Sequence, residues 1–292
     1  MPFLEDFAEI LKPQEPLAPY TFLKLGGPAQ ALAQPRSVDE LGKLVVQCRR
    51  EQVPFRVLGG GCNLLVRDEG VRGLVIRLSE NAFTSVEVKQ SKVRAGGGAL
   101  LSTFISECAR HSLAGVESLV GIPGTVGGGL CSDAGSRSET IGQLVESVDV
   151  LDAQGRKQTL ERGELDFTSP TSGLDDVVIV SATFTLEADD PESILKRMRK
   201  FWIHKKARQP LSFQAVGRLF RDPRGQAADQ LIEQAGLQGT RVGGAELSER
   251  NANYVVVQPG ASSRDVLRLI ELVRSRVAER FGLTLDLAIA VW

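Results

Sequence analysis

Residues 121–129 read Gly-Ile-Pro-Gly-Thr-Val-Gly-Gly-Gly, with five glycines in nine positions. Glycine loses more conformational freedom on folding than any other residue, so a run this dense is costly to order. It is tolerated where backbone must approach backbone or a ligand more closely than a Cβ allows. A second such stretch, Gly59, Gly60 and Gly61 followed by Cys62 and Asn63, comes directly after an apolar segment at 55–58. That segment reads as a strand. Glycines in this position let N–H groups turn inward around an anionic oxygen, and Asn63 adds an amide donor. The order of residues differs from the GxGxxG fingerprint, which requires an immediate helix and another spacing. The plainer reading of residues 59–63 is a tight turn.

The remaining pattern is mixed α and β. Ser37 and Glu40 mark a helix start with a capping box, followed by Leu41, Leu44, Val45 and Cys48 at helical spacing. Strands are expected at 55–58 and 74–78, and an extended segment ending in a turn at 20–27. A hairpin is expected at 85–88 and 92–95, then a helix at 101–111 on the pattern Leu101, Phe104, Ile105 and Cys108. Further strands are expected at 145–151, 157–160 and 177–186, the last β-branched, and a helix at 191–205 opening on Pro191. Beyond these come a helix at 227–235, short strands at 241–246 and 254–257, a helix at 263–281 and a terminal strand at 283–291. The first dozen residues read as a short helix. This order implies three consecutive domains, 1–82, 83–205 and 206–292.

Composition narrows the function classes. The chain has 292 residues, 42% hydrophobic and 24% charged, with a net charge of -1. This is an ordinary globular mixture and gives no footprint for a nucleic-acid partner. The densest basic run, 196–208, reads as a solvated helix face. Apolar runs are far shorter than a bilayer requires, and the first ten residues lack the pattern of a secretion signal. A cytoplasmic protein without membrane insertion is expected. Cys48, Cys62, Cys108 and Cys131 and the two histidines, His111 and His204, are too dispersed for a metal site. Cys62 reads as packing rather than a nucleophile, and Tyr254 as core.

The second glycine loop gives the first its meaning. Thr125 can donate to a phosphate, and residues 132–135 continue in the same small, polar vein. Two phosphate-friendly loops in separate domains imply an extended ligand, and a diphosphate dinucleotide fits.

Six segments then make the pattern specific: TFLKLGG at 21–27, VLGGGCNLLV at 57–66, GIPGTVGG at 121–128, FRDP at 220–223, LIEQAGL at 231–237 and GGAELSE at 243–249. In this order they resemble the bacterial UDP-N-acetylenolpyruvoylglucosamine reductase family, the flavoenzymes of peptidoglycan precursor synthesis. The resemblance implies an α+β chain. Two amino-terminal domains would bind FAD in the vanillyl-alcohol-oxidase/CO-dehydrogenase-flavoprotein manner, and a carboxy-terminal α+β domain would bind substrate. It implies NADPH as hydride donor, an enolpyruvyl UDP-sugar as acceptor and a monomer. FAD contacts are implied at Gly59, Gly60, Gly61, Cys62, Asn63, Leu64, Gly121, Pro123, Gly124, Thr125, Gly128, Ala134 and Gly135, and substrate contacts at Arg221 and Asp222.

The resemblance also implies a serine proton donor assisted by an arginine and a glutamate, and here the chain departs from the pattern. Arg218 occupies the serine position, Pro170 the arginine position and Ala288 the glutamate position. Arginine does not give up its proton in a protein. Arg218 can still stabilise developing negative charge, and Asp286, two residues before Ala288, is the nearest carboxylate on that segment. Arg162, nearby in the sequence, is a candidate to bend in for the missing arginine. Two functional readings follow: an NADPH-dependent reductase with rearranged acid–base groups, or a flavin-binding protein with lost or altered catalysis. A third has the glycine loops empty in a structural or interaction protein.

Overall fold

The computed structural model describes residues 2–136, 139–152, 154–167, 174, 177–210, 215–223 and 225–292. Contacts divide the chain into two units whose segments alternate along the sequence. The first comprises Met1–Pro13, Ala31–Gly60 and Gly73–His204, the second Gln14–Gln30, Gly61–Arg72 and Lys205–Trp292.

The first unit holds two sheets. The smaller orders its strands Leu11–Pro13, Ala29–Ala33, Val71–Arg77 and Phe55–Leu58. The last two pair in parallel, and the helix Val38–Arg50 lies between Ala29–Ala33 and Phe55–Leu58 along the chain. That helix starts where expected: Ser37 Oγ accepts the Glu40 N–H at 3.1 Å. Glu40 reaches one residue further back than a capping box requires and accepts the Arg36 N–H at 2.6 Å. The stripe Leu41, Leu44, Val45 and Cys48 is buried against Ile76, Leu78 and Val180. The larger sheet is antiparallel, in the order Lys157–Glu161, Val145–Leu151, Val178–Thr185, Lys92–Gly96 and Val86–Lys89. Its alternating β-branched residues face the helix Leu101–Arg110, where Phe104 and Phe184 rings meet at 4.6 Å.

The second unit is an antiparallel sheet, Val216–Arg218, Tyr254–Val257, Ala245–Leu247 and Arg241–Val242, covered by helices Ala228–Gln234 and Ser263–Phe281. The long helix buries Val266, Leu269, Ile270, Val273 and Val277, an apolar stripe at helical spacing. Burying each such side chain is worth about 1.5–3 kcal/mol relative to exposure. Its start is a reciprocal box. Ser262 Oγ accepts the Asp265 N–H at 3.2 Å, and Asp265 Oδ2 accepts the Ser262 N–H at 3.0 Å. Asp265 also accepts from Gly244 N–H and pairs with Arg268 at 2.8 Å. The Ser262 N–H, then Gly244 N–H and Arg268, hold this carboxyl down at about 2. A depressed carboxyl stabilises the fold above its unfolded value, and the contribution disappears as pH falls through the folded one. Asp265→Ala is therefore expected to cost about 1–2 kcal/mol at neutral pH. In thermal melts the gap between variant and parent should close between pH 4 and pH 2, the window set by 3.8 and about 2.

Several elements differ from the sequence reading. The opening helix is of the 3-10 type and stops at Ile10, where the strand Leu11–Pro13 begins. The segment 20–27 is a series of turns, and the strand lies after it, at Ala29–Ala33. The stretch 241–246 is two strands turned at Gly243 and Gly244. The terminal strand is only Ala290–Val291, because residues 283–289 leave the ladder and make a single bridge, Leu287 to Phe220. No helix among the described residues is long and apolar enough to cross a membrane.

Candidate functional site

The two glycine stretches meet within the first unit. Residues 121–129 are not a loop throughout. After turns at Gly121 and Gly124, residues Val126–Cys131 form a short helix capped by Thr125, whose Oγ1 accepts the Gly128 N–H at 3.3 Å. A Cβ added at Gly59 would lie 2.7 Å from Thr125 Oγ1 and 3.9 Å from the Gly128 N and Cα. Gly59, Thr125 and Gly128 thus form one surface of bare backbone and a single hydroxyl. Bare glycine backbone of this kind lets a neighbouring group approach more closely than a Cβ would allow. The Gly124 carbonyl accepts from Leu101 N–H at 2.9 Å, which ties the turn to the neighbouring helix. Pro123 is exposed. Ala134 and Gly135 lie behind the short helix: Ala134 N–H donates to Gly129 O, and a Cβ at Gly135 would sit 2.2 Å from Glu139 O.

The approach to this loop is anchored by a group the sequence reading missed. Glu117, 4% exposed, receives Arg197 Nη2 at 2.7 Å and Nε at 3.0 Å, and also the Gly115 N–H at 2.7 Å. Arg197 lies in the basic run at 196–208. Its guanidinium is fixed by Glu117 and Asp189, so that run is not a uniformly solvated face.

From Gly61 onward the first glycine stretch belongs to the second unit. Gly61, at φ +60°, has its Cα against Tyr20, and a Cβ there would lie 2.1 Å from the Tyr20 carbonyl oxygen. Cys62 is half-buried, and burial pushes its thiol up to about 11, which leaves it a poor nucleophile. Leu64 is buried and pairs in parallel with Ala290. Asn63 uses its side chain inside the protein. Oδ1 accepts the Arg218 N–H at 2.9 Å, and Nδ2 donates to the Ala288 carbonyl at 3.0 Å. One amide therefore joins the two segments where the resemblance places the serine and the glutamate.

Arg218 carries its guanidinium beside Asp222, with Nη2 3.3 Å from Oδ1. Asp222 Oδ1 also accepts the Ala228 N–H at 3.0 Å, at the start of the helix Ala228–Gln234. Arg221 donates its N–H to the Asp286 carbonyl and its Nε to the Leu287 carbonyl, at 2.9 and 3.3 Å. Asp286 thus contributes its backbone to this cluster, while the residue is exposed. Ala288 supplies no acid at the glutamate position. Arg162 has its Nη1 on Leu165 O at 3.1 Å and its guanidinium over the Phe167 ring. Pro170 lies outside the described residues.

Tyr254, read from the sequence as core, stands directly opposite Arg218 in the antiparallel ladder. Directly opposed residues project from the same face of a sheet. The Tyr254 residue is half-buried, and burial raises the ionisation of its phenol, an effect that Arg218 opposes and that Asp229 and Asp222 reinforce. Asp229 is held by Asn251 Nδ2 at 3.2 Å, and the Asn251 carbonyl accepts the Tyr254 N–H.

These arrangements have counterparts. Residues 209–292 match the family model described as UDP-N-acetylenolpyruvoylglucosamine reductase, C-terminal domain, and residues 29–161 match the FAD binding domain. The UDP-N-acetylenolpyruvoylglucosamine reductase of Moorella thermoacetica is 40% identical over 95% of this chain and 92% of its own length. That of Rhodopirellula baltica is 36% identical over 99% and 95%. The crystal structure of the reductase from Thermus caldophilus superposes with a TM-score of 0.82 at 35% identity, covering 97% of this chain and 98% of that one. Cholesterol oxidase from B. sterolicum, at 16% identity and a TM-score of 0.50 over 62% of this chain and 38% of its own, shares the fold alone. With the glycine surface, the sheet of the second unit and the chain's full length all matched, the protein belongs to the UDP-N-acetylenolpyruvoylglucosamine reductase family.

Proposed function

We propose that this chain reduces the enolpyruvyl ether of UDP-N-acetylglucosamine to UDP-N-acetylmuramate, with bound FAD and with NADPH as reductant, in peptidoglycan precursor synthesis. The observation that carries the reading is the near-complete correspondence with reductases of that name, 95–99% of the chain at 36–40% identity. The close approach of Gly59, Thr125 and Gly128 supports the cofactor assignment, since glycine backbone beside a hydroxyl lets a diphosphate come nearer than a side chain at Gly59 or Gly128 would allow. When bound, FAD supplies the hydride-transfer chemistry. The protein's own part is to hold the diphosphate on backbone donors and to place the acceptor near Arg218. That guanidinium stabilises the negative charge that develops on the enolpyruvyl carboxylate side. Arg221 and Asp222 flank the substrate, Asp222 through its hold on Arg218. We place the enzyme in the cytoplasm as a monomer without a nucleic-acid partner, in keeping with its near-neutral net charge of -1.

Product analysis tests this reading. Purified protein given NADPH and the enolpyruvyl UDP-sugar should yield a product heavier by H2, with one NADPH oxidised per product. NADPH oxidation without that product would refute the substrate assignment.

A further inference from the structure

Reduction of a carbon–carbon double bond needs a proton as well as a hydride, and a group beside the acceptor must give it. In this chain the residue at position 218 cannot. Arg218 keeps its proton, and Asp222 already accepts from Arg218 and from Ala228 N–H. Ala288 has no acid to offer. The chain has two tyrosines. Tyr20 donates its hydroxyl to Glu15 at 2.6 Å. Tyr254 projects from the same sheet face as Arg218, its direct partner in the ladder.

We propose that Tyr254 is the proton donor of this enzyme and that Arg218 stabilises the phenolate left when the proton departs. The inference rests on the reductase reading above. In the step, a hydride adds to the terminal carbon of the enolpyruvyl group. The π pair moves to the carbon bearing the carboxylate. The Tyr254 O–H bond breaks as the new C–H bond forms at that carbon, and the phenolate recovers a proton from water. The two electrons come from NADPH. The groups around the phenol suit both halves of this cycle. Burial and the carboxylates of Asp222 and Asp229 keep it protonated beforehand, and Arg218 lowers the cost of the anion afterwards. A proton donor at this position is thereby moved from one strand to the facing residue of its neighbour, while the guanidinium occupies the vacated place.

Tyr254→Phe separates this role from a structural one. The variant should keep its thermal transition, its bound flavin and its rate of flavin reduction by NADPH. Reoxidation of the reduced flavin by the enolpyruvyl substrate should slow by about 10²–10⁴-fold, the usual range for a lost general acid. A second readout needs no turnover. In an ultraviolet titration of the apoprotein, tyrosinate absorbance should show two ionisations in the parent and one in Tyr254→Phe. In Arg218→Met the Tyr254 midpoint should rise, because a facing positive charge has gone. This titration still decides the matter if Tyr254→Phe folds poorly. A parent enzyme that the substrate reoxidises, with Tyr254→Phe reoxidised equally fast, overturns the assignment alone. So does a Tyr254 midpoint that Arg218→Met leaves unmoved. A parent whose reduced flavin the substrate cannot reoxidise overturns the reductase reading and the assigned role together.

Discussion

Gly59→Val should purify without flavin. The Cβ of any side chain at this position falls 2.7 Å from Thr125 Oγ1, well inside van der Waals contact, and 3.9 Å from the Gly128 N and Cα, so the two methyls of valine add further crowding. Thr125 has little room to retreat, because it is 7% exposed and its Oγ1 caps the short helix by accepting the Gly128 N–H. The substitution therefore blocks the bare backbone that would receive the diphosphate and also pushes on the residue that orients its N–H groups. On this placement FAD affinity should fall more than about 100-fold, equivalent to about 2.8 kcal/mol. Titration of the apoprotein with FAD measures it, and a circular dichroism melt checks that the fold survives. A Gly59→Val protein carrying one FAD per chain would place the cofactor elsewhere.

Asn63→Leu should damage stability and catalysis together. Leucine keeps most of the volume of asparagine but leaves the Arg218 N–H and the Ala288 carbonyl without their side-chain partner. The first of these bonds is exposed and the second half-buried, so water can partly replace the lost partner and the two together should cost about 1–2 kcal/mol in denaturant unfolding. The catalytic effect arises differently. Asn63 ties the segment carrying Arg218 to the segment carrying Ala288, and a displacement of about 1 Å at a reacting centre can lower a rate about 10²-fold. The substrate-dependent step should slow to that extent, with FAD reduction by NADPH less affected. An Asn63→Leu protein with parental stability and turnover would remove Asn63 from this positioning role.

What the sequence revealed and what it concealed follow from how local each determinant is. The helix Ser263–Phe281 was legible because its apolar stripe, Val266, Leu269, Ile270, Val273 and Val277, lies within one short stretch. The strands of the larger sheet were legible through alternation and β-branching. The strand Ala29–Ala33 was not, since its small residues carry little strand propensity and its pairing defines it. The terminal strand was overextended because residues 283–289 alternate like a strand, yet they bond to separated loops rather than to a ladder. The glycine stretches were read as binding loops, but their meeting at Gly59 and Thr125 depends on tertiary packing. Asn63 was read as a donor to ligand. Its actual partners are 155 and 225 residues away, beyond any local pattern. Glu117 and Arg197 are 80 residues apart and were invisible for the same reason. Tyr254 had an ordinary core signature, and only the strand register set it opposite Arg218.

The central claim is that this chain remains a reductase although Arg218 and Ala288 stand where the resemblance implies a serine and a glutamate. Anaerobic stopped-flow absorbance of the purified flavoprotein tests it most directly. Mixing with NADPH should bleach the flavin, and a second mixing with the enolpyruvyl UDP-sugar should restore the oxidised spectrum. Flavin that NADPH bleaches and the substrate fails to restore would contradict the claim.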